Sequence, residues 1–302
     1  MRDAGTGMIQ QHSINNSGGT RLAGADVTSA TLSVGGANIP LLGFGTYGMS
    51  GGQLQNVLVA ALQEGFRHID TAQMYGNESD VGAAIRASGV ARREVFVTTK
   101  VWVGHYSRDR FMTSVEASLR ELRSDYIDLL LVHWPRGGAP LAEQVEGLNR
   151  AVSSGKVRHV GVSNYNAEMM RAAAALLEHP LVTNQVEYHP FLDQSALLRQ
   201  VAASESSLMA YCGMAVGRVF RTDLLKDIAA RNGRSVAQVV LRWLIQQPRV
   251  VALSRTENSE RIPDNARVFD FALSDADMAA ITRLRTPGNR IVDPPHLAPA
   301  WD

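Results

Sequence analysis

Four side chains in the first half of the chain have types and spacing that suit proton transfer: Asp70, Tyr75, Lys100 and His133. Asp70, Lys100 and His133 each follow directly on a short apolar run, and Tyr75 lies a few residues after Asp70. An ionisable residue at the end of an apolar strand is costly to bury unless it has a partner or a task. Reduction of a carbonyl group needs a hydride on carbon and a proton for the developing alkoxide, and these residue types suit the second requirement.

The four residues have complementary roles in such a proton transfer. A tyrosine with a pKa near 10 donates poorly at neutral pH. The Lys100 ammonium is expected to stabilise the Tyr75 phenolate and lower its pKa, with Asp70 holding that lysine charged and in place. His133 is expected to direct the carbonyl oxygen towards Tyr75 by a hydrogen bond. Each residue alone is more often a structural ion pair, a packed tyrosine or a core histidine. All four together, in order and at strand ends, argue against that structural explanation and favour catalysis.

The elements that must position these residues follow a regular alternation of short apolar runs and amphipathic segments from residue 31 onwards. Such runs are typical of parallel strands covered on both faces, and repeated strand–helix units predict right-handed crossovers. Eight runs are the number expected for a closed (β/α)8 barrel of the TIM type, an α/β fold whose strand ends meet at one face. The runs are Pro40–Phe44, Phe66–Ile69, Val95–Thr99, Ile127–Val132, Val157–Val162, Leu181–Val186, Ser207–Ala210 and Val250–Leu253.

Three further kinds of segment surround the predicted barrel. Thr31–Pro40 has two short apolar runs around a Gly-Gly pair, which predicts a β-hairpin across the bottom of the barrel. Arg234–Gln247 and Leu273–Leu284 are patterned as two extra helices. The proline-rich tail Thr286–Asp302 has no periodicity and is expected to be a loop.

Composition excludes several classes of function. The 302 residues carry a net charge of +1 and no long basic run, so binding to nucleic acid or to a membrane surface has no electrostatic support. A single cysteine excludes an intrachain disulfide framework and a multi-cysteine metal site. Residues 1–30 are polar and are expected to form a flexible arm before one domain, 31–302. Without a signal-type or membrane-spanning segment, we expect a cytoplasmic monomer.

Five ordered motifs resemble those of the aldo-keto reductases, from about Leu32 to the end of the chain. They read GFRHIDTAQMYGNE (65–78), TTKVW (98–102), LLLVHWP (129–135), VGVSNY (160–165) and TNQVEYHP (183–190). The tail NRIVDPPHLAPAWD is most similar to the bacterial 2,5-diketo-gluconate and methylglyoxal reductase branch. The resemblance implies a (β/α)8 barrel that reduces aldehydes or ketones with NADPH, and it assigns Asp70, Tyr75, Lys100 and His133 the four roles above.

The resemblance also implies where NADPH binds. Ser163, Asn164 and Gln185 offer polar groups to the nicotinamide carboxamide, and Tyr211 offers a flat face for stacking. Two positions depart from the family pattern: Arg255 replaces the usual lysine, and CGMAVG follows Tyr211 where many relatives have Ser-Pro-Leu. The remaining expected contacts are Gly45, Thr46 and Tyr47 beside the nicotinamide, Cys212, Gly213 and Met214 at the pyrophosphate, Arg255, Thr256 and Arg261 at the 2′-phosphate, and Asn265 near the adenine.

A competing fold is suggested by GFGTYG (43–48), which matches the G-x-G-x-x-G pattern of dinucleotide-binding sheets. Asp70 follows its last glycine at nearly the spacing that such a site uses for the ribose. The alternation nevertheless continues through eight units, and the later motifs have no place in a doubly wound sheet. We therefore favour the barrel.

Substrate is expected to enter between aromatic side chains. Tyr47, Trp102, Tyr106 and Trp134 should line an apolar pocket. The loop RGGAP (136–140) is too short to form a lid, which favours weak discrimination among small carbonyls, methylglyoxal or 2,5-diketo-gluconate among them. The tail is the one segment long enough to replace a lid, and its Arg290 or His296 could then meet an acidic substrate.

Two other functions are compatible with a barrel of this kind. Lys100 could form a Schiff base in an aldolase, although a partner such as Asp70 disfavours the neutral amine that this chemistry needs. Alternatively, the protein could be a non-catalytic binding or redox-sensing subunit, against which the complete set of four residues argues. Borohydride trapping distinguishes the first alternative, and an NADPH-oxidation assay distinguishes the second.

Overall fold

The predicted apolar runs form the strands of a closed parallel barrel in the computed structural model, which describes residues 25–302. Neighbouring strands follow chain order, and the last strand pairs with the first to close the barrel. The strands are β1 (Thr31–Val34), β2 (Ala37–Pro40), β3 (Leu42–Gly45), β4 (His68–Asp70), β5 (Phe96–Val101), β6 (Ile127–Val132), β7 (Val157–Ser163), β8 (Leu181–Glu187), β9 (Ser207–Tyr211) and β10 (Val250–Ser254). The barrel is formed by β3 to β10, as the sequence predicts.

The hairpin β1–β2 is antiparallel and lies at the amino ends of the barrel strands. A Cβ placed on Gly35, in its turn, would lie 2.8 Å from Pro180, just before β8 begins. The chain also packs on the barrel before residue 31: Val27 and Ala30 are buried, and the Ala30 carbonyl accepts a hydrogen bond from the backbone N–H of Leu41. The predicted arm 1–30 is therefore too long at its carboxyl end, and residues 1–24 lie outside the described residues.

Ten α-helices follow from the amphipathic segments of residues 25–302. Several begin where a side chain caps the first turn: Ser235 and Gln238 form a reciprocal capping box, and Ser274 accepts from the backbone N–H of Asp277. The two predicted extra helices are present as α8 and α10, and the tail contains no helix. The helices are α1 (Gly51–Gln63), α2 (Glu78–Ala87), α3 (Arg108–Leu122), α4 (Leu141–Ser153), α5 (Ala167–Leu176), α6 (Ser195–Ala203), α7 (Asp223–Asn232), α8 (Val236–Gln246), α9 (Ile262–Ala266) and α10 (Asp275–Thr282).

The glycines of GFGTYG serve the barrel rather than a phosphate-binding turn. Gly43 lies within β3, where an added Cβ would be 2.7 Å from both His68 and Leu253. Gly45 ends the same strand, and α1 begins only at Gly51. The first glycine is therefore required by close packing inside the barrel, which removes the basis for the dinucleotide-sheet interpretation. No helix within residues 25–302 has the length and apolar character needed to cross a membrane.

Candidate active site

The carboxyl ends of β4, β5 and β6 bring Asp70, Lys100 and His133 to one face of the barrel. Tyr75 reaches the same place from a short 3-10 turn, Gln73–Tyr75, that follows β4. The Lys100 ammonium donates to Asp70 Oδ1 at 2.7 Å, to the Thr71 carbonyl at 2.8 Å and to Tyr75 Oη at 3.3 Å. The first and third of these contacts join the predicted acid, the lysine and the aspartate in one hydrogen-bonded group.

The Asp70–Lys100 ion pair is completely enclosed. Lys100 is fully buried and Asp70 nearly so, and Gln185 donates to the second carboxylate oxygen of Asp70 at 2.6 Å. Burial lowers the pKa of Lys100 because it disfavours the charged amine, while the charge of Asp70 acts in the opposite direction. An enclosed charge pair is stable only when its remaining hydrogen bonds are made, as they are here through Thr71 and Gln185.

The environment of Tyr75 differs from the sequence-based expectation. The pKa of Tyr75 is raised well above 10.0, first because burial disfavours the phenolate and then because of the charge of Asp70 and the nearby phenol of Tyr47. The net direction is therefore upward, opposite to the expected lowering, and the effect of Lys100 on this pKa stays a prediction. Tyr75 is a protonated phenol throughout the neutral range, and the lysine is placed to stabilise the phenolate once a proton has left.

His133 is a neutral imidazole beside Tyr75. Their ring centroids are 5.7 Å apart, and the Trp102 ring lies 5.3 Å from His133 on another side. Burial, followed by the positive charge of Lys100, lowers the pKa of His133 well below 6.5. A neutral ring donates from one nitrogen only, which suits a role in orienting a carbonyl oxygen.

Side chains from β7, β8 and β9 form the opposite side of the same face. Asn164 connects three strands: it donates to the His133 carbonyl at 3.0 Å and accepts from Tyr211 Oη at 2.7 Å, while its backbone N–H donates to the Gln185 carbonyl. Its backbone is left-handed, with φ 63°, a conformation that asparagine tolerates better than most residues. Ser163 donates to the Gln185 carbonyl at 2.8 Å. The four residues predicted for the nicotinamide amide and ring therefore lie together.

The segment after β3 borders Asp70 and Tyr75. Thr46 is buried and donates to the Asp70 carbonyl at 2.9 Å, whereas Tyr47 is 60% exposed and its ring lies 5.1 Å from that of Tyr75. Gly45 ends β3 beside Arg255, which donates to the Tyr47 carbonyl at 2.6 Å. Tyr47 is thus the exposed aromatic at the edge of the site.

The segment after β10 holds the residues predicted for the adenosine phosphate. Arg255 also pairs with Glu257, whereas Arg261 is exposed and its guanidinium has no hydrogen-bond or ion-pair partner among residues 25–302. Thr256 is buried and bonded to Asn258, and Asn265 donates to Ser254 at 3.1 Å. Between residues 255 and 265, only Arg261 therefore presents an unpaired guanidinium to solvent.

The segment after Tyr211 has an irregular backbone. Cys212 is left-handed with φ 58°, and Gly213 and Met214 lead into a 3-10 stretch at Ala215–Arg221. Burial raises the pKa of the Cys212 thiol to about 11, so it is not a reactive thiolate. It is half-buried rather than buried, and its role is that of a small side chain.

The substrate side of the site needs two corrections, at Tyr106 and at Trp134. Tyr106 is fully buried and exchanges hydrogen bonds with the backbone of Trp134, so it supports the pocket from beneath and does not line it. Trp134 itself is 5% exposed, which leaves Tyr47 and Trp102 as the accessible aromatics. The loop 136–140 is short as predicted, but it is not uncovered, because Leu297 of the tail packs beside Gly137.

One positioning residue was missed in the sequence. The Gln73 side chain accepts from the Trp102 backbone N–H at 2.9 Å and donates to Ser114 and Ser118 on α3. It therefore fixes the turn that carries Tyr75 relative to the loop that carries Trp102. A glutamine two residues before a tyrosine gives no signal of this kind in a single sequence.

Comparison with known proteins identifies the family of the chain. The model of the Aldo/keto reductase family matches residues 41–286. An aldo-keto reductase of Mycobacterium sp. (strain MCS) is 40% identical over 267 residues, which cover 88% of this chain and 93% of the relative. The methylglyoxal reductase DkgB of Salmonella typhimurium is 35% identical over 267 residues, which cover 87% of this chain and 99% of the relative.

A solved structure is similar over nearly the whole described fold. The crystal structure of a protein assigned as a 2,5-diketo-D-gluconic acid reductase B is 51% identical, with a TM-score of 0.89. The match covers 90% of this chain and 97% of the other. The family model, the relatives and the shared fold show that the chain belongs to the aldo/keto reductase family, whose members are oxidoreductases acting on carbonyl groups.

Proposed function

We propose that this protein reduces small aldehydes and ketones with NADPH and that Tyr75 is the proton donor. The observation that carries the proposal is the 3.3 Å hydrogen bond from Lys100 to Tyr75 Oη, made by an enclosed lysine paired with Asp70. A phenol held at a fixed ammonium can lose its proton in the transition state at much lower cost than a phenol in an apolar pocket.

The proton transfer follows from the protonation states of the site. Reduced nicotinamide supplies the hydride to the carbonyl carbon when the cofactor is bound. Tyr75 gives its proton to the oxygen on which charge develops, and the resulting phenolate is stabilised by Lys100. His133, as a neutral donor, holds the carbonyl oxygen near Tyr75 Oη before transfer. Asp70 keeps the lysine charged, and Gln185 keeps Asp70 in position.

The residues present fit a nicotinamide cofactor. The half-buried ring of Tyr211 offers a stacking face next to Asn164, and the polar groups of Ser163 and Gln185 lie beside it. The backbone from Cys212 to Met214 would follow the pyrophosphate. Arg261 and Arg255 would hold the 2′-phosphate, with Thr256 and Asn265 at the remainder of the adenosine.

Arg261→Ala should weaken NADPH binding by about tenfold and leave NADH binding nearly unchanged. A charge-assisted contact to phosphate contributes roughly 1.5–3 kcal/mol, and the lower end applies because Arg261 is exposed to solvent. Dissociation constants for both cofactors, measured by fluorescence titration, check this result. Arg283→Ala, which removes an exposed arginine at the end of α10, is a suitable control.

Equal loss of both cofactors in Arg261→Ala would mean that this residue is structural. A parent protein that prefers NADH would refute the cofactor assignment itself. Glu257→Gln adds a sharper comparison, because its carboxylate competes for Arg255 and repels a phosphate. This second substitution should tighten NADPH binding.

The Schiff-base alternative is disfavoured by the geometry of Lys100. Its ammonium already makes three hydrogen bonds, one of them to a carboxylate, and a nucleophilic amine would have to lose its proton and those bonds. Borohydride treatment in the presence of a carbonyl substrate should therefore leave no covalent adduct on the protein. A trapped adduct on Lys100 would favour the aldolase.

Small carbonyl compounds are the proposed substrates, methylglyoxal and 2,5-diketo-gluconate among them, since relatives carry the names methylglyoxal reductase and 2,5-diketo-D-gluconic acid reductase. Steady-state NADPH oxidation with these two compounds and several aromatic aldehydes tests the proposal directly. Turnover of several of these compounds with comparable kcat/KM is expected for a largely apolar pocket. If none of these compounds were turned over, the result would support the interpretation of the protein as non-catalytic.

A further inference from the structure

Glu187, the last residue of β8, points towards the mouth of the barrel. Side chains two apart on a strand share a face, and Gln185 reaches Asp70 inside the barrel, so Glu187 lies one layer nearer the mouth. Its side chain is fully buried, and the neighbouring residue on β9 is Tyr211. A buried carboxylate in this place needs hydrogen-bond donors to offset its lost hydration.

The donors come mainly from the tail. Glu187 accepts from the backbone N–H of Ile291 at 2.8 Å and from that of Val292 at 2.7 Å, more than 100 residues away in sequence. His189 Nε2 donates to the same carboxylate at 2.9 Å, and the ring is oriented by a contact from Phe191 to its Nδ1. Both carboxylate oxygens thus accept hydrogen bonds, and two of the three donors belong to the tail.

The carboxylate is held in its charged form. Burial by itself raises the pKa of Glu187, but the hydrogen bonds from His189, Val292 and Ile291 outweigh it and keep the pKa below 4.5. Arg290 lies near enough to contribute attraction. A charged acceptor makes each of these bonds stronger than a bond to a neutral amide.

The remainder of the tail is attached at its far end. Asp302 accepts from the backbone N–H of Ala167 at the start of α5 at 2.9 Å, and Asn166 donates to the Ala300 carbonyl at 2.8 Å. Arg290, next to the first attachment, stacks at 3.4 Å on the ring of Trp301, which is next to the second. The tail therefore passes from the end of β8 to the segment after β7, and it crosses the side of the mouth where the 136–140 loop is short.

We infer that Glu187 is the positioning residue that fixes the tail 290–302 as a preformed wall of the substrate entrance. Without helix or strand of its own, the tail depends on side-chain attachments for a defined position. Glu187 touches neither the Asp70–Lys100 pair nor Tyr75, so its effect on turnover should pass through the tail. This inference rests on the carbonyl reduction proposed above.

Glu187→Gln is the informative substitution, because it keeps the shape and removes the charge and one acceptor. The amide of Gln would face a backbone N–H, so a bond to the tail is lost. We expect trypsin to release the fragment Ile291–Asp302 about tenfold faster, as measured by mass spectrometry, since one charge-assisted hydrogen bond corresponds to a factor on this order. KM for the carbonyl substrate should rise by about the same factor, with kcat little changed.

A comparison with the truncated chain separates an effect through the tail from a general structural effect. A variant ending at Pro287 should show the raised KM, and adding Glu187→Gln to it should cause no further change. Glu178→Gln, at the other end of β8 and exposed, is the matched control and should alter neither KM nor proteolysis.

Two results would overturn the inference. One is unchanged release of the tail fragment in Glu187→Gln, and the other is an equal rise in KM in the full and truncated chains. Should the truncated chain fail to fold, the proteolysis of the full-length variant decides alone. Proteolysis does not depend on turnover. If the parent protein reduced no carbonyl compound, the proposed function would be refuted, and the proteolysis would still test the role of Glu187.

Discussion

Tyr75→Phe is expected to lower kcat for carbonyl reduction by at least about 100-fold while NADPH binds as tightly as before. The substitution removes a single oxygen atom, and with it the proton that the developing alkoxide needs. Because that proton moves only in the chemical step, ground-state binding should be unaffected. Steady-state kinetics with a reactive aldehyde, together with a fluorescence titration of NADPH, measures both quantities.

Tyr126→Phe provides the matched control for this substitution. Tyr126 lies just before β6, at the opposite end of the barrel, where its ring stacks on Arg92 and Arg158. Its loss should leave kcat close to that of the parent protein. Full activity in Tyr75→Phe would refute the assignment of the acid, and weakened NADPH binding in that variant would mean that the phenol has a structural role.

Lys100→Met is expected to be at least as damaging as Tyr75→Phe. It removes the ammonium proposed to stabilise the phenolate, and it leaves the buried Asp70 carboxylate without its charge partner. The second effect also reduces stability, so the melting temperature and NADPH affinity must be measured beside kcat. Lys156→Met, which breaks a partly exposed ion pair with Glu116, controls for the loss of a lysine.

The pH dependence gives Lys100→Met a signature that simple destabilisation lacks. The proposed reduction requires protonated Tyr75, and burial raises its pKa well above 10.0, so the parent rate should not fall as the pH rises through the neutral range. Loss of a neighbouring positive charge disfavours the phenolate further and moves any alkaline limb to still higher pH. A folded variant whose kcat falls but whose alkaline limb keeps its position would mean that Lys100 does not act on Tyr75.

Much of the architecture is encoded locally. Each barrel strand is a short apolar run, and its predicted limits agree with the structure within about two residues. The helices follow amphipathic periodicity with caps such as Ser235 and Ser274. Parallel strand ends converge on one face of a barrel, so the order of Asp70, Lys100 and His133 along the chain was enough to predict that they meet.

The contacts that complete the site are not local. Gln185 reaches Asp70 across 115 residues of sequence, and Glu187 reaches Ile291 across 104. Neither residue type identifies its partner, since an amide can donate to any acceptor, and a carboxylate can accept from any donor, that packing brings near. For the same reason Tyr106 was predicted to line the pocket, although two hydrogen bonds to Trp134 hold it in the core.

By itself the sequence determined the type of fold, the family and the groups available for proton transfer, because these depend on periodicity and on residue identity. Only the tertiary structure decided the direction of the Tyr75 pKa and the position of the tail. The first depends on how completely water is excluded from the phenol, and the second on which buried carboxylate lies within reach of two backbone N–H groups. Both are properties of packing between distant segments, which local pattern does not encode.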